Sequence, residues 1–166
     1  MPATKLKEFL DNQQIKFLNI SHSKAFTSQE VAESAHISGW ELAKTVIVKL
    51  DDQLAMAVLP ASLIIDLDLL KQATGAKQVS LASEDEFRET FPECETGAMP
   101  PFGNLYQMNT FVDQRLREDE QIAFNAGSHT ELIRMSFGDF ERLANPIAAN
   151  FSASPHVQVK ATSGSV

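Results

Sequence analysis

A single α+β domain, with a mixed, barrel-like sheet flanked by helices, is predicted by three features of the sequence. Helical and strand-like periodicities are interleaved, but without the regular strand–helix–strand alternation of a doubly wound fold. Two β-rich runs, Lys44–Leu50 and Gln53–Leu59, face each other across the two-residue turn Asp51-Asp52 and read as a hairpin. A chain of 166 residues, 43% hydrophobic, suits one core, whereas two domains of half that length would each be marginal.

Leu6, Phe9 and Leu10 recur at helical spacing behind Thr4, a candidate cap, and Lys16–Ile20 alternates like a strand. Thr27 with Glu30 forms a capping-box pattern that opens a helix to about His36, and Gly39 then allows a turn. After the hairpin, Pro60 ends the second strand, and Asp66–Ala73 is a short helix stopped by Gly75. Lys77–Leu81 is a further strand, and Ser83 with Glu86 caps an acidic helix running to Phe91 before Pro92. Strands are expected at Leu105–Val112, Gln121–Ala126 and Thr130–Ser136, with Gly127 in the last turn. Ser136 or Asp139 caps a final helix towards Pro146. The domain is therefore drawn over residues 1–146. Residues 147–166, poor in large apolar side chains, read as a tail to which Val157–Val159 adds at most an edge strand.

Composition excludes several functions. The single cysteine, Cys94, forbids an internal disulfide, and the histidines at 22, 36, 129 and 156 lack ligand spacing, so neither structural zinc nor another metal is expected. No apolar run approaches the roughly 20 residues of a membrane helix, and Lys5, Lys7, Glu8 and Asp11 interrupt any signal-peptide core. A cytoplasmic protein without a membrane partner is the expectation. The net charge of −8 disfavours a protein that coats nucleic acid, including DNA. The charge is uneven, however: residues 1–50 hold six lysines against five acids, so a local basic patch is compatible with the sequence.

The common catalytic signatures, GxSxG, the P-loop, HExxH and GxGxxG, are all missing. Cys94 lies between Glu93 and Glu95, whose charges disfavour a thiolate nucleophile. Lys44 opens a very apolar strand. Its plain reading is a strand-end ammonium reaching solvent, and its functional reading is a fixed cation for a phosphate or a developing negative charge. The loop Gly97-Ala98-Met99-Pro100-Pro101-Phe102-Gly103 combines glycine freedom with two prolines that lack amide donors. It is either a rigid connection or a means of holding its few N–H groups towards an ester carbonyl. Asn125-Ala126-Gly127-Ser128-His129 is a comparable turn between strands.

Taken in order, these pieces resemble the YbaK/prolyl-tRNA-synthetase-associated editing family over roughly residues 1–146. The matching features are Lys44 opening the strand Ala43–Val48, a GxxxP loop at Gly97–Pro101, and the glycine turn Gly127-Ser128-His129 leading to a strand and the helix Ser136–Leu143. The resemblance implies a mixed β-barrel with flanking helices that needs no metal or organic cofactor. It also implies a free-standing aminoacyl-tRNA deacylase that hydrolyses, in trans, the ester bond of tRNA misacylated with a small amino acid such as Ala, Ser, Thr or Cys. The expected partners are the acceptor end of misacylated tRNA and, with it, an aminoacyl-tRNA synthetase. Lys44 and Gly97 would be catalytic. Ala98, Met99, Pro100, Pro101, Asn125, Gly127, Ser128 and His129 would contact substrate. The alternatives are a non-catalytic module that binds an acceptor end or small ligand on the same fold, and an unrelated esterase on a similar barrel.

Overall fold

The computed structural model describes residues 4–21 and 41–155. The helix expected from Thr27 to His36 and the turn at Gly39 lie outside them, as does Val157–Val159. Helix α1 (Thr4–Asn12) buries Leu6 and Leu10, the i, i+4 pair that its periodicity singles out. Strand β1 (Phe17–Ser21) comes next. The hairpin forms as expected from β2 (Ala43–Leu50) and β3 (Gln53–Pro60), with Pro60 as its last residue. Asp51 in the turn has a φ of 56° and uses Oδ1 to accept the amides of Lys77 and Gln78. These bonds tie the hairpin tip to the chain ahead of the strand at Val79–Leu81.

Strand β4 (Ile64–Ile65) leads to helix α2 (Leu67–Thr74), capped by the Asp66 side chain and ended by Gly75 at a φ of 74°. Strand β5 is the segment Val79–Leu81. The Ser83–Glu86 capping box is present in both directions at the start of α3 (Glu84–Phe87). This helix is shorter than its sequence suggests, since the chain tightens into a 3₁₀ turn over Arg88–Thr90.

The strand expected at Leu105–Val112 is only half right. Gly103–Tyr106 is a 3₁₀ turn, and β6 spans Asn109–Asp113. The reversal depends on Gly103, whose amide donates to Thr110 Oγ1 at 2.9 Å. A Cβ there would stand 2.5 Å from the Met108 carbonyl oxygen, so the backbone folds back closely only because the residue is glycine. Another 3₁₀ turn (Gln114–Glu118) precedes β7 (Gln121–Asn125) and β8 (Glu131–Ser136). Helix α4 (Phe137–Ala144) is capped by Ser136 rather than Asp139, the Ser136 hydroxyl accepting the Asp139 amide.

The boundary at 146 is displaced by the structure. Ile147–Ala149 forms β9, parallel to β6, and Ser152–Ala153 forms β10, antiparallel to β4. Phe151 between them is fully buried, and its amide donates to Oδ2 of the buried Asp113 at 3.0 Å. One aromatic side chain and one buried carboxylate thus hold a segment whose composition reads as a tail.

The sheet order is β5-β2-β3-β6-β9, with β3, β6 and β9 mutually parallel, beside an antiparallel sheet β1-β8-β7. A single parallel bridge, Leu42 to Ala123, joins the two among the described residues. This is the expected mixed α+β arrangement, although the strands among the described residues do not close into a continuous barrel. At the centre of the main core, Phe102 is fully buried, with ring centroids 6.0, 5.7 and 5.4 Å from those of Phe9, Phe124 and Phe140.

Candidate active site

The Gly97 loop is fixed by the residues on its C-terminal side. Met99 packs with Ile47, Met56, Phe91 and Tyr106, while Phe102 is in the main core. With Ala98 fully buried and Pro100 and Pro101 also buried, the loop leaves Gly97 exposed at its start. Met99 is therefore an anchor whose side chain is committed to packing. Any substrate contact it makes must come through its backbone.

Backbone hydrogen bonds identify the available donors. Ala98 N donates to Glu95 O at 3.0 Å and Phe102 N to Pro100 O at 2.9 Å, while the two prolines have no N–H. The amides of Gly97 and Met99 have no partner among the described residues. Gly97 holds a φ of +85°, a conformation that favours glycine.

The loop and the Asn125–His129 turn, far apart in sequence, are brought together. Gly127 N donates to Ala98 O at 2.9 Å, and Glu95 N donates to Gly127 O at 2.8 Å. His129 N donates to Glu95 Oε1 at 2.6 Å, and His129 Nε2 lies 2.8 Å from Thr96 O. A carbonyl only accepts, so Nε2 carries the proton in that contact. The His129 ring lies beside Gly97, with Cε1 3.7 Å from where a Cβ on Gly97 would stand. Ser128 shapes the turn through Oγ, 3.2 Å from Thr130 Oγ1 and accepting Thr130 N at 3.4 Å. His129 thus braces the loop, and Ser128 its own turn, with groups that the sequence offers for substrate contact. Glu95 and Thr96 are joining residues that the sequence does not mark. Glu95 stands out there only as a charge beside Cys94, and no pattern signals a residue whose work is to join two loops.

Lys44 enters from β2. It has the alternation of Leu42, the residue bridged to Ala123, and Asn125 has the alternation of Ala123 on the parallel β7. Lys44 and Asn125 therefore stand two residues beyond the bridge on one common face. Burial pulls the Lys44 ammonium below its ordinary pKa, and no carboxylate among the described residues compensates. Among the described residues no hydrogen bond joins Lys44 to the Gly97 loop. The two are related through β7, whose far end carries the turn bonded to that loop.

Cys94 has no sign of activation. Burial, and secondarily the charge of Glu93, raises its pKa against a weak 3.8 Å contact with the Tyr106 hydroxyl. Among the described residues no three His, Cys, Asp or Glu side chains converge as a metal site, and no helix is long and apolar enough to cross a membrane.

The aminoacyl-tRNA editing domain family matches residues 22–143, a span that contains Lys44, the Gly97 loop and the His129 turn. The chain belongs to this family. A curated relative of the editing domain, the multifunctional Ser/Thr-tRNA deacylase ProXp-y of Escherichia coli strain K12, is 29% identical over 152 residues, covering 89% of this chain and 90% of the relative. Among solved structures, a hypothetical protein superposes with a TM-score of 0.80 at 21% identity, covering 90% of this chain and 99% of that one. A protein proposed as a trans-editing enzyme for prolyl-tRNA synthetase gives 0.77 at 16% identity, covering 90% and 96%. At those identities the likeness shows the fold.

Proposed function

We propose that this editing domain is a free-standing deacylase that hydrolyses the ester of misacylated tRNA carrying a small amino acid, serine or threonine first among them. The observation that carries the reading is the braced loop of a family member, with two backbone amides, at Gly97 and Met99, uncommitted among the described residues. Ester hydrolysis builds negative charge on the carbonyl oxygen, and fixed N–H donors lower its energy without reorganising. An aminoacyl ester is already activated, so a positioned water suffices as nucleophile and no triad is required.

In this scheme Gly97 N–H stabilises the oxyanion. Lys44 supplies a desolvated cation to the terminal phosphates or the sugar of the acceptor end. Holding only that end needs few phosphate contacts, so a net charge of −8 is no obstacle. The closeness to an editing relative supports a cytoplasmic setting and a synthetase as a functional partner. The test is deacylation of a panel of mischarged tRNAs, in which seryl- and threonyl-tRNA should be hydrolysed fastest. Binding of acylated tRNA without hydrolysis would establish the silent-module reading instead. Hydrolysis of simple esters but of no aminoacyl-tRNA would establish an esterase of other specificity on the editing fold.

A further inference from the structure

We propose that Asn125 reads the side-chain hydroxyl of the aminoacyl group and so sets a preference for serine and threonine esters over alanine esters; this rests on the deacylase reading above. Asn125 ends β7 at 8% exposure, and its Oδ1 is buried without a hydrogen-bond partner among the described residues. Nearly all buried polar side-chain atoms are paired, because a desolvated acceptor left unpaired is destabilising. A carboxamide kept in that state, at the end of a strand leading into the braced turn, is available to a ligand.

Its surroundings narrow the ligand chemistry. By strand alternation the side chain shares a face with Ala123 and with Leu132, its register partner on β8. Those two residues belong to a small apolar cluster with Leu42, Ala61 and Ile20. Lys44 lies on the same face, two residues beyond the Leu42 bridge. Arg134, the register partner of Ala123, stands on this face as well, but its guanidinium is paired with the Glu41 carboxylate. The corner at Asn125 therefore offers an apolar wall, the Lys44 cation and one neutral amide. A substrate ammonium is poorly placed beside the Lys44 ammonium, which has no carboxylate to neutralise it among the described residues. A carboxylate would suit the lysine but not the amide's acceptor oxygen. A neutral hydroxyl both donates and accepts, as the carboxamide does, and its short carbon stem fits against the apolar wall. Serine and threonine present such a group, and alanine leaves the amide unpaired. A polar group built to bond a substrate hydroxyl rejects the analogue that lacks it far more strongly than an apolar pocket rejects a missing methylene.

The experiment is single-turnover deacylation of seryl- and alanyl-tRNA built on the same tRNA body, by wild type, Asn125→Ala and the near-isosteric Asn125→Leu. The wild-type ratio of seryl to alanyl rates should shrink by on the order of tenfold or more in both variants, chiefly through loss of the seryl rate. An unchanged ratio with an active wild type overturns the assignment of Asn125 and leaves the deacylase reading standing. A wild type inert on every misacylated tRNA overturns that reading instead. A second measurement covers variants that do not fold and substrates that do not turn over. The side-chain amide resonance of Asn125 in the wild-type protein is followed on adding hydrolysis-resistant, amide-linked seryl-adenosine or alanyl-adenosine. A shift with the seryl analogue alone supports the inference, whereas equal shifts, or none, overturn it.

Discussion

Glu95 Oε1 accepts the backbone amide of His129 at 2.6 Å, and through this contact the loop before Gly97 and the turn after β7 become one unit. The same glutamate donates its own amide to Gly127 O and accepts Ala98 N through its carbonyl, while His129 Nε2 donates to Thr96 O. Gly97 lies inside this ring of hydrogen bonds. Its uncommitted amide is therefore aimed by residues that need not touch substrate themselves.

Glu95→Ala should show this directly. A hydrogen bond to a charged group is worth about 1.5–3 kcal/mol, and the exposure of Glu95 places the loss at the lower end. The larger effect should fall on kcat, with KM changed little, and Glu95→Gln, which retains an acceptor oxygen, should recover most of it. Thermal melting and steady-state deacylation check both parts. A variant that melts lower but keeps the wild-type kcat would reduce Glu95 to a structural tie.

Much of this architecture is legible in the sequence because the deciding signals are local. The Gly75 stop, the Ser136 cap, the Ser83–Glu86 box and the Asp51-Asp52 turn are each written within a few residues and form as expected. The sequence misleads where a distant contact decides. Leu105 and Tyr106 look strand-like, but the Gly103–Thr110 bond folds them back. Ile147–Ala149 carries little apolar mass, yet it pairs with β6 because Phe151 behind it is buried and bonded to Asp113. The candidate site divides in the same way. Lys44 and Gly97 stand out by residue type and position, whereas Glu95 gains its role only from a fold that brings residue 129 alongside it.

Lys44 sets stability against function. Burial lowers its pKa, so the charged form is disfavoured in the folded state. Between the folded pKa and the ordinary value of 10.5, the unfolded chain binds more protons, and stability from this group rises with pH across that window. Lys44→Met keeps the stem and removes the half-buried charge. It should raise the melting temperature at neutral pH by up to about 2–4 °C, yet cut single-turnover deacylation severely. Wild-type activity, corrected for spontaneous hydrolysis, should decline with a midpoint below 10.5 as the ammonium is lost. Full activity in Lys44→Met would remove the residue from the mechanism.

Cys94 should be dispensable. Its thiol is raised by burial and by Glu93, so little thiolate exists at neutral pH. Cys94→Ala should retain deacylation within about twofold while losing up to roughly 1 kcal/mol of packing against its apolar neighbours. Iodoacetamide should react slowly with the native protein and rapidly once it is unfolded, as followed by mass spectrometry. Abolished hydrolysis in a folded Cys94→Ala variant would point to covalent catalysis and displace the water mechanism.

Gly97 is where steric room and backbone strain can be separated. Among the described residues a Cβ at this position meets only His129 Cε1, at 3.7 Å, an ordinary contact, so they leave space for alanine. The φ of +85° does not suit an L side chain, and Gly97→Ala should cost about 1–2 kcal/mol, a fall of roughly 2–8 °C in melting temperature. If the Gly97 amide faces the scissile carbonyl, the chemical step should slow by on the order of 10²–10³, the loss that accompanies removal of one oxyanion donor. Asn tolerates positive φ better than alanine and still carries a Cβ. Gly97→Asn should therefore regain stability relative to Gly97→Ala but not rate, because its side chain still crowds the substrate over the amide. Melting curves and single-turnover deacylation on the three proteins distinguish the cases. If the rate recovers together with the melting temperature in Gly97→Asn, the glycine serves the conformation of the loop alone, and the oxyanion role passes to the remaining free amide, at Met99.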